Sequence, residues 1–118
     1  MNQSIEVGLT VRGHRELLDA LTNGMTEVRV PGPVNGPPDV TVKITQLPLQ
    51  KAFDIPTVVT ITLTFAGSVA SSVAGDWLYN LAKRGRVEKI MINRREVELH
   101  QGEITRMVEE TRTEERRG

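Results

Sequence analysis

The sequence predicts a single α+β domain, in which one open, mainly antiparallel sheet carries two to three helices packed on one face. Apolar residues alternate with polar ones in some segments and recur at helical spacing in others, and 118 residues suit one domain. Strands with one apolar and one polar face imply a sheet covered on one side only. We expect residues 1–112 to form the domain. Residues 113–118 are predicted to be a disordered charged tail, because the final stretch RTEERRG has no apolar side chain to anchor it.

The stretch from Thr57 to Arg84 is the predicted core of the domain, because its apolar spacing changes partway along. In its first part Val, Ile, Leu and Phe alternate with threonine, which is the pattern of a half-buried strand. From Val69 onward apolar residues recur every third or fourth position, as in an amphipathic helix. Gly67 and Ser68 lie at the junction, where we expect a tight turn and a helix N-cap.

The other elements follow from the same two spacings. Alternation predicts further strands at residues 5–11, 27–30, 39–45 and 87–92, the last forming a hairpin with residues 97–99. Helical spacing predicts a short helix at 14–23 and a closing helix at 103–111. The proline-rich stretch 31–38 is predicted to be a loop. The segment 46–56 carries several large apolar side chains, so it either packs on the core, which we favour, or meets a partner.

Composition limits the classes of function. Lys+Arg and Asp+Glu both number 15, so no large net field directs the protein toward nucleic acid or anionic lipid. The absence of cysteine excludes disulfides, thiolate nucleophiles and cysteine-based metal sites. The N-terminus lacks the basic start and apolar run of a secretory signal. The uncharged stretch 57–75 has the length of a membrane span, but its alternating first half predicts a strand. We therefore expect a cytoplasmic protein without a membrane segment.

Neither catalysis nor a cofactor or metal site is predicted. A serine nucleophile needs a histidine to take its proton and a carboxylate to orient that histidine, and neither His14 nor His100 lies in such a motif. No histidine pair has the spacing of a metal site. The turn around Gly67 has the placement of a phosphate-binding loop without its glycine and lysine pattern. A pocket that places either histidine beside a serine and a carboxylate would reopen the enzyme hypothesis.

The predicted central helix offers a candidate interface. Opposite its apolar stripe it presents small or smooth side chains on which another backbone can approach closely. These are Ser68, Ser71, Ser72, Gly75 and Tyr79. Serine and glycine are poor helix formers, so their use where Glu or Lys would serve indicates a second contact, with another protein or by self-association. The alternative is an ordinary surface that tolerates small residues.

A basic patch around residues 83–95 supports nucleic-acid binding as an alternative function. Its candidate contacts are Arg84, Arg86, Arg94 and Arg95. Acidic residues lie nearby in the sequence, and the predicted open face of the sheet has no aromatic ring on which a base could stack. An ordinary charged surface is therefore the favoured interpretation, and nucleic-acid binding is the second hypothesis.

The C-terminal half resembles a known family. It reads FAGSVASSVAGDWLYNLAKRG followed by KIMINRREVELHQGEITRMVEE, in which a strand leads into a helix with the pair Trp77-Leu78. A hairpin from Lys89 to Leu99 and a terminal helix follow. This order is similar to that of the effector-associated constant component family of bacterial conflict systems, although the proline-rich loop and the threonine-rich strand have no counterpart there. The resemblance implies a non-enzymatic adaptor of bacterial or phage origin, in a defence or counter-defence system, and supplies no catalytic residues.

Overall fold

Six strands and two helices make up the part of the chain that the computed structural model describes, which is residues 3–12, 17, 32–34, 37, 39–46, 57–66 and 69–117. The strands are β1 (Gln3–Val11), β2 (Gly32–Val34), β3 (Val40–Gln46), β4 (Thr57–Phe65), β5 (Lys89–Ile92) and β6 (Arg95–Val97). The helices are α1 (Ser71–Arg84) and α2 (Gln101–Arg117). The predicted strand 27–30 and the segment 47–56 lie outside the described residues, as does the predicted helix 14–23 apart from Leu17, which is helical and buried.

The described strands form one antiparallel sheet with the order β2-β3-β4-β1-β5-β6. The two long strands β1 and β4 lie at its centre and pair from Gln3 opposite Phe65 to Val11 opposite Thr57. Side chains alternate across each strand, so the apolar set of every long strand points to one face. The helices pack on that face, which confirms the predicted α+β class with a sheet covered on one side.

The core lies between the sheet and the helices. Its largest buried sheet residues are Ile5, Leu9, Ile44, Ile61, Leu63, Phe65, Ile90 and Ile92. Ala74 and Leu78 of α1 and Ile104 and Val108 of α2 are buried against them. Apolar area removed from water contributes about 25 cal/mol per Å², so this aliphatic layer is the main source of stability.

One predicted loop differs from the structure, and one predicted helix cap lies outside the described residues. The proline-rich stretch 31–38 contains the short strand β2, which pairs only with β3. Proline is tolerated there because an edge strand has one side without ladder hydrogen bonds. The predicted helix cap at Ser68 lies outside the described residues, and the N-cap of α1 is Ala70, which makes no side-chain cap bond.

The closing helix is longer than predicted. It begins at Gln101 rather than residue 103 and continues to Arg117, past the predicted tail boundary at residue 113. The prediction of a disordered tail therefore differs from the structure, in which residues 113–117 belong to α2. Glu114 on this extension pairs with Arg95 of β6 at 3.2 Å, although such an exposed pair contributes under about 1 kcal/mol.

The uncharged stretch 57–75 is divided between β4 and α1 and does not form one helix. Among the described helices, none combines the length and apolar character that crossing a membrane requires.

Helix α1 ends with the longer hydrogen bond of a Schellman motif, and an arginine occupies the left-handed position. The N–H of Val87 donates to the carbonyl of Ala82 at 2.9 Å, and Arg86 has a φ of 53°. The C-cap residue is Gly85, and its φ of −89° lies outside the left-handed region. Glycine is needed there for close approach, since an added Cβ would lie 3.0 Å from Cα of Leu17.

Replacing Arg86 with glycine is therefore expected to raise the free energy of unfolding by about 0.5–1 kcal/mol, because only glycine adopts the left-handed conformation without steric cost. Urea denaturation measures the change. The matched variant Arg84→Gly lies in the last turn of α1, where glycine lowers stability by up to ~1 kcal/mol. A loss of stability in Arg86→Gly would contradict the interpretation.

Candidate functional site

A groove lies between α1 and the first turn of α2, and we call it the α1–α2 groove. Its volume is about 470 Å³. It is lined by Ser72, Asp76, Tyr79, His100, Gln101, Gly102 and Thr105. All of these residues are exposed or half-buried, so the groove is open to solvent. The groove includes two of the predicted interface residues, Ser72 and Tyr79.

One wall of the groove is a single stripe of α1. Ser72, Asp76 and Tyr79 are spaced at i, i+4 and i+7, which places them on the same side of the helix. One turn further on, Nζ of Lys83 lies 5.1 Å from the centroid of the Tyr79 ring, within cation–π range. The stripe therefore presents a hydroxyl, a carboxylate and an aromatic ring.

The opposite wall is the capped start of α2. The carbonyl of His100 accepts a hydrogen bond from the N–H of Ile104 at 2.9 Å, and its Nδ1 accepts one from the N–H of Gly102 at 3.2 Å. His100 is thus the N-cap of α2, and its Nδ1 is the acceptor of the cap hydrogen bond. Across the groove, Nε2 of Gln101 donates to Oδ1 of Asp76 and joins the two helices.

The groove brings a histidine, a serine and a carboxylate together, which is the condition that would reopen the enzyme hypothesis. A catalytic relay needs the carboxylate to accept from the histidine Nδ1–H. Here Nδ1 of His100 is itself an acceptor, and Asp76 accepts from Gln101. Within the described chain, Ser72 makes no hydrogen bond to His100. The hydrogen bonds are those of a helix cap, and His14 lies outside the described residues.

Asp76 is the only formal charge among the residues that line the groove. The nearby Arg106 is bound to Glu103 at 2.6 Å and to Glu110 at 3.4 Å. The hydrogen bond and charge of Glu103, with the charge of Glu110, raise the pKa of Arg106 above its ordinary value. Arg106 is thus paired within its own helix, and Asp76 forms no ion pair within the described chain.

Two of the predicted interface residues lie under α2. Ser71 and Gly75 are buried, and a Cβ added to Gly75 would lie 2.9 Å from Cα of Thr105. A backbone does approach this face closely, as the small residues predict, but it belongs to α2 of the same chain. Ser68 lies outside the described residues. Binding of another protein at Ser72 and Tyr79 stays a prediction.

The buried face of α1 is accordingly rotated from the predicted one. Ser71, Ala74, Gly75, Leu78, Leu81 and Ala82 are buried. Val73 and Trp77, which belong to the predicted apolar stripe, are only half-buried. The difference arises because α1 packs against both the sheet and α2.

Arg112 packs the C-terminal part of α2 against the core, although the sequence predicts that the final stretch RTEERRG has no side chain to anchor it. It is 2% exposed, and its guanidinium carbon lies 4.5 Å from the centroid of the Phe65 ring. Its NH1 group donates to the carbonyl of Val69 at 2.6 Å and to Oγ of Ser71 at 3.0 Å, and Ser71 donates in turn to Glu109. The sequence signal that could have predicted this burial is spacing, because Arg112 continues the i, i+4 stripe of Ile104 and Val108.

The predicted basic patch is divided between two places. Arg84 and Arg86 precede β5, whereas Arg94 and Arg95 follow it, and four strand residues span about 13 Å. Arg95 is also paired with Glu114 of α2. Arg84 and Arg86 therefore lie before one end of β5 and Arg94 and Arg95 after the other, and nucleic-acid binding by these residues stays a prediction. In the part of the chain that the structure describes, no group of histidine and acidic residues is suited to hold a metal ion.

Comparison with known proteins finds no family model, no curated protein and no solved structure that matches the chain.

Proposed function

We propose that the protein is a non-enzymatic interaction module that binds another protein through the α1–α2 groove. The observation that supports this most directly is the solvent-accessible stripe of Ser72, Asp76 and half-buried Tyr79 beside the capped start of α2. Tyrosine supplies a large contact area at low cost in side-chain entropy, and it is enriched at protein interfaces.

The walls of the groove are held in place before any partner binds. Gly75 allows close contact between the helices, and the bond from Gln101 to Asp76 spans the groove. A site that is already ordered loses less conformational entropy on binding. Asp76 forms no ion pair within the described residues, so its charge favours a partner that presents a basic side chain at this point.

A role beside effector proteins, in a bacterial or phage defence or counter-defence system, is supported by the resemblance of the C-terminal half. In that setting the products of neighbouring genes are the first partners to test.

The double variant Asp76→Lys/Tyr79→Ala is expected to weaken partner binding at least tenfold, about 1.4 kcal/mol, because it reverses the groove charge and removes the aromatic contact. Isothermal titration calorimetry measures the affinity.

The control is Arg84→Ala, an exposed position outside the groove lining. Thermal unfolding verifies that all variants are folded. Unchanged affinity in the double variant would contradict the proposal, as would a wild-type protein that binds none of the candidate partners. Salt-dependent retention on a DNA or RNA column, lost in Arg84→Ala/Arg86→Ala, would favour the nucleic-acid alternative instead.

A further inference from the structure

Among the described elements, none packs on the face of the sheet opposite the helices, and we call it the open face. Most side chains that strand alternation places on this face are threonines, and these are Thr10, Thr41, Thr45, Thr60, Thr62 and Thr64. Thr60 is only 9% exposed, whereas the other five are half-buried or exposed. Neither described helix lies on this side, and Glu6, Lys43 and Val58 on it are exposed. Val58, at 46% exposure, is one of two large hydrophobic residues in the described chain that are exposed.

The charges at the centre of the open face are placed symmetrically about β4. Thr62 of β4 lies opposite Glu6 of β1 on one side and opposite Lys43 of β3 on the other. Neighbouring strands are about 4.8 Å apart, so the backbones that carry the two charges are about 10 Å apart. Neither residue forms an ion pair within the described chain.

We propose that the open face binds a second copy of the chain, with a two-fold axis parallel to β4 and passing beside Thr62. Rotation about this axis exchanges the two sides of β4. Lys43 of each copy then faces Glu6 of the other, and both unpaired charges are neutralised. A two-fold axis perpendicular to the strands would instead place Lys43 against Lys43. The charge pattern therefore selects one arrangement of the dimer.

The same axis covers the exposed apolar side chain on β4. Val58 points to the open face, so it meets Val58 of the second copy at the axis. The surrounding threonines are β-branched and lose little rotamer freedom when they are ordered. Sheets packed face to face lie about 10 Å apart with their strands within about 30° of each other. This geometry keeps β4 of one copy aligned with β4 of the other.

The expected interface is small. Each strand residue occupies about 16 Å² of sheet, so the open face presents on the order of 550 Å² per copy. Two copies would bury about 1,100 Å², which is more than most crystal contacts and at the low end of specific interfaces. We therefore expect a weak, reversible dimer. The α1–α2 groove lies on the other side of the sheet and stays accessible, so this inference does not rest on the proposed function.

Charge reversal tests the dimer. Sedimentation equilibrium of the wild-type chain over a wide range of concentrations is expected to detect monomers and dimers. Glu6→Lys and Lys43→Glu should each weaken dimerisation at least tenfold, because like charges then face each other. An equimolar mixture of these two variants should dimerise about as well as the wild type, since both facing pairs are again opposite in charge. The double variant Glu6→Lys/Lys43→Glu should behave in the same way.

The matched control is Lys83→Glu, which reverses an exposed charge on α1. It is expected to leave the dimerisation constant unchanged. Circular dichroism and thermal unfolding establish that each variant is folded. A wild-type chain that is monomeric at every concentration would overturn the proposal, even if the open face bound another protein. Single reversals that leave the dimer intact, or a mixture that stays monomeric, would overturn it as well.

Discussion

Replacing Arg112 with alanine is expected to lower the free energy of unfolding by about 3 kcal/mol. The guanidinium is buried on the Phe65 ring and donates to the carbonyl of Val69 and the hydroxyl of Ser71. Alanine would leave that carbonyl without its donor and would open a cavity where α2 meets Phe65 and Val69. Chemical denaturation of the wild type and the variant measures the difference.

Two further variants separate this contact from a general effect of charge. Arg112→Lys should lose part of the stability, because an ammonium keeps the charge but lacks the planar fork that donates to two acceptors. Arg106→Ala removes an exposed arginine from the same helix and should change stability by less than about 1 kcal/mol. A loss below about 1 kcal/mol in Arg112→Ala would show that the buried contact is not stabilising.

Replacing Gly75 with alanine is expected to lower the free energy of unfolding by about 2 kcal/mol, because the helices would have to move apart. An added Cβ would lie 2.9 Å from both Cα and Cβ of Thr105. The direction of the change in the free energy of unfolding is informative, since alanine in an unobstructed helix position is more stabilising than glycine by about 1 kcal/mol. Thermal and urea unfolding measure the change.

A double-mutant cycle with Thr105→Ala tests the cause. Removing the threonine hydroxyl and methyl should recover part of the loss, so the two substitutions should not be additive. Gly102→Ala is the matched control, because the nearest atom to its added Cβ is 3.4 Å away, on the His100 ring. It is expected to be neutral or slightly stabilising. If Gly75→Ala stabilised the protein, the close packing of α1 on α2 would be disproved.

Both positions lie where α2 packs against α1, and that packing forms the α1–α2 groove. Small residues at 71 and 75 predict a close contact, and a close contact is present, but its identity could not be read from α1 alone. The residue that approaches Gly75 is Thr105, which lies on the next helix. The assembly of Ser72, Asp76 and Tyr79 beside His100 was likewise not predicted, because residues far apart in sequence meet there only after α2 folds back.

The spacing of apolar residues along the sequence was sufficient to predict the elements that depend only on neighbouring residues. Alternation in β1, β3 and β4 correctly predicts which side chains point to the core, because successive residues of any strand face opposite sides. The same spacing predicts α1 and the one-sided sheet. These features require no knowledge of the partner strand, since the apolar side of each segment must be buried in some way.

The remaining features could be known only from the way distant segments pack in the folded chain. The orientation of α1, the burial of Arg112 and the division of the basic patch by β5 all follow from which segments meet across the fold. From the sequence alone, a charged residue such as Arg112 is expected to be exposed to solvent. It is buried because β4 supplies an aromatic ring and the chain around the start of α1 supplies two hydrogen-bond acceptors. Spacing along the chain determines which faces avoid water, whereas contacts between distant segments determine what each face touches.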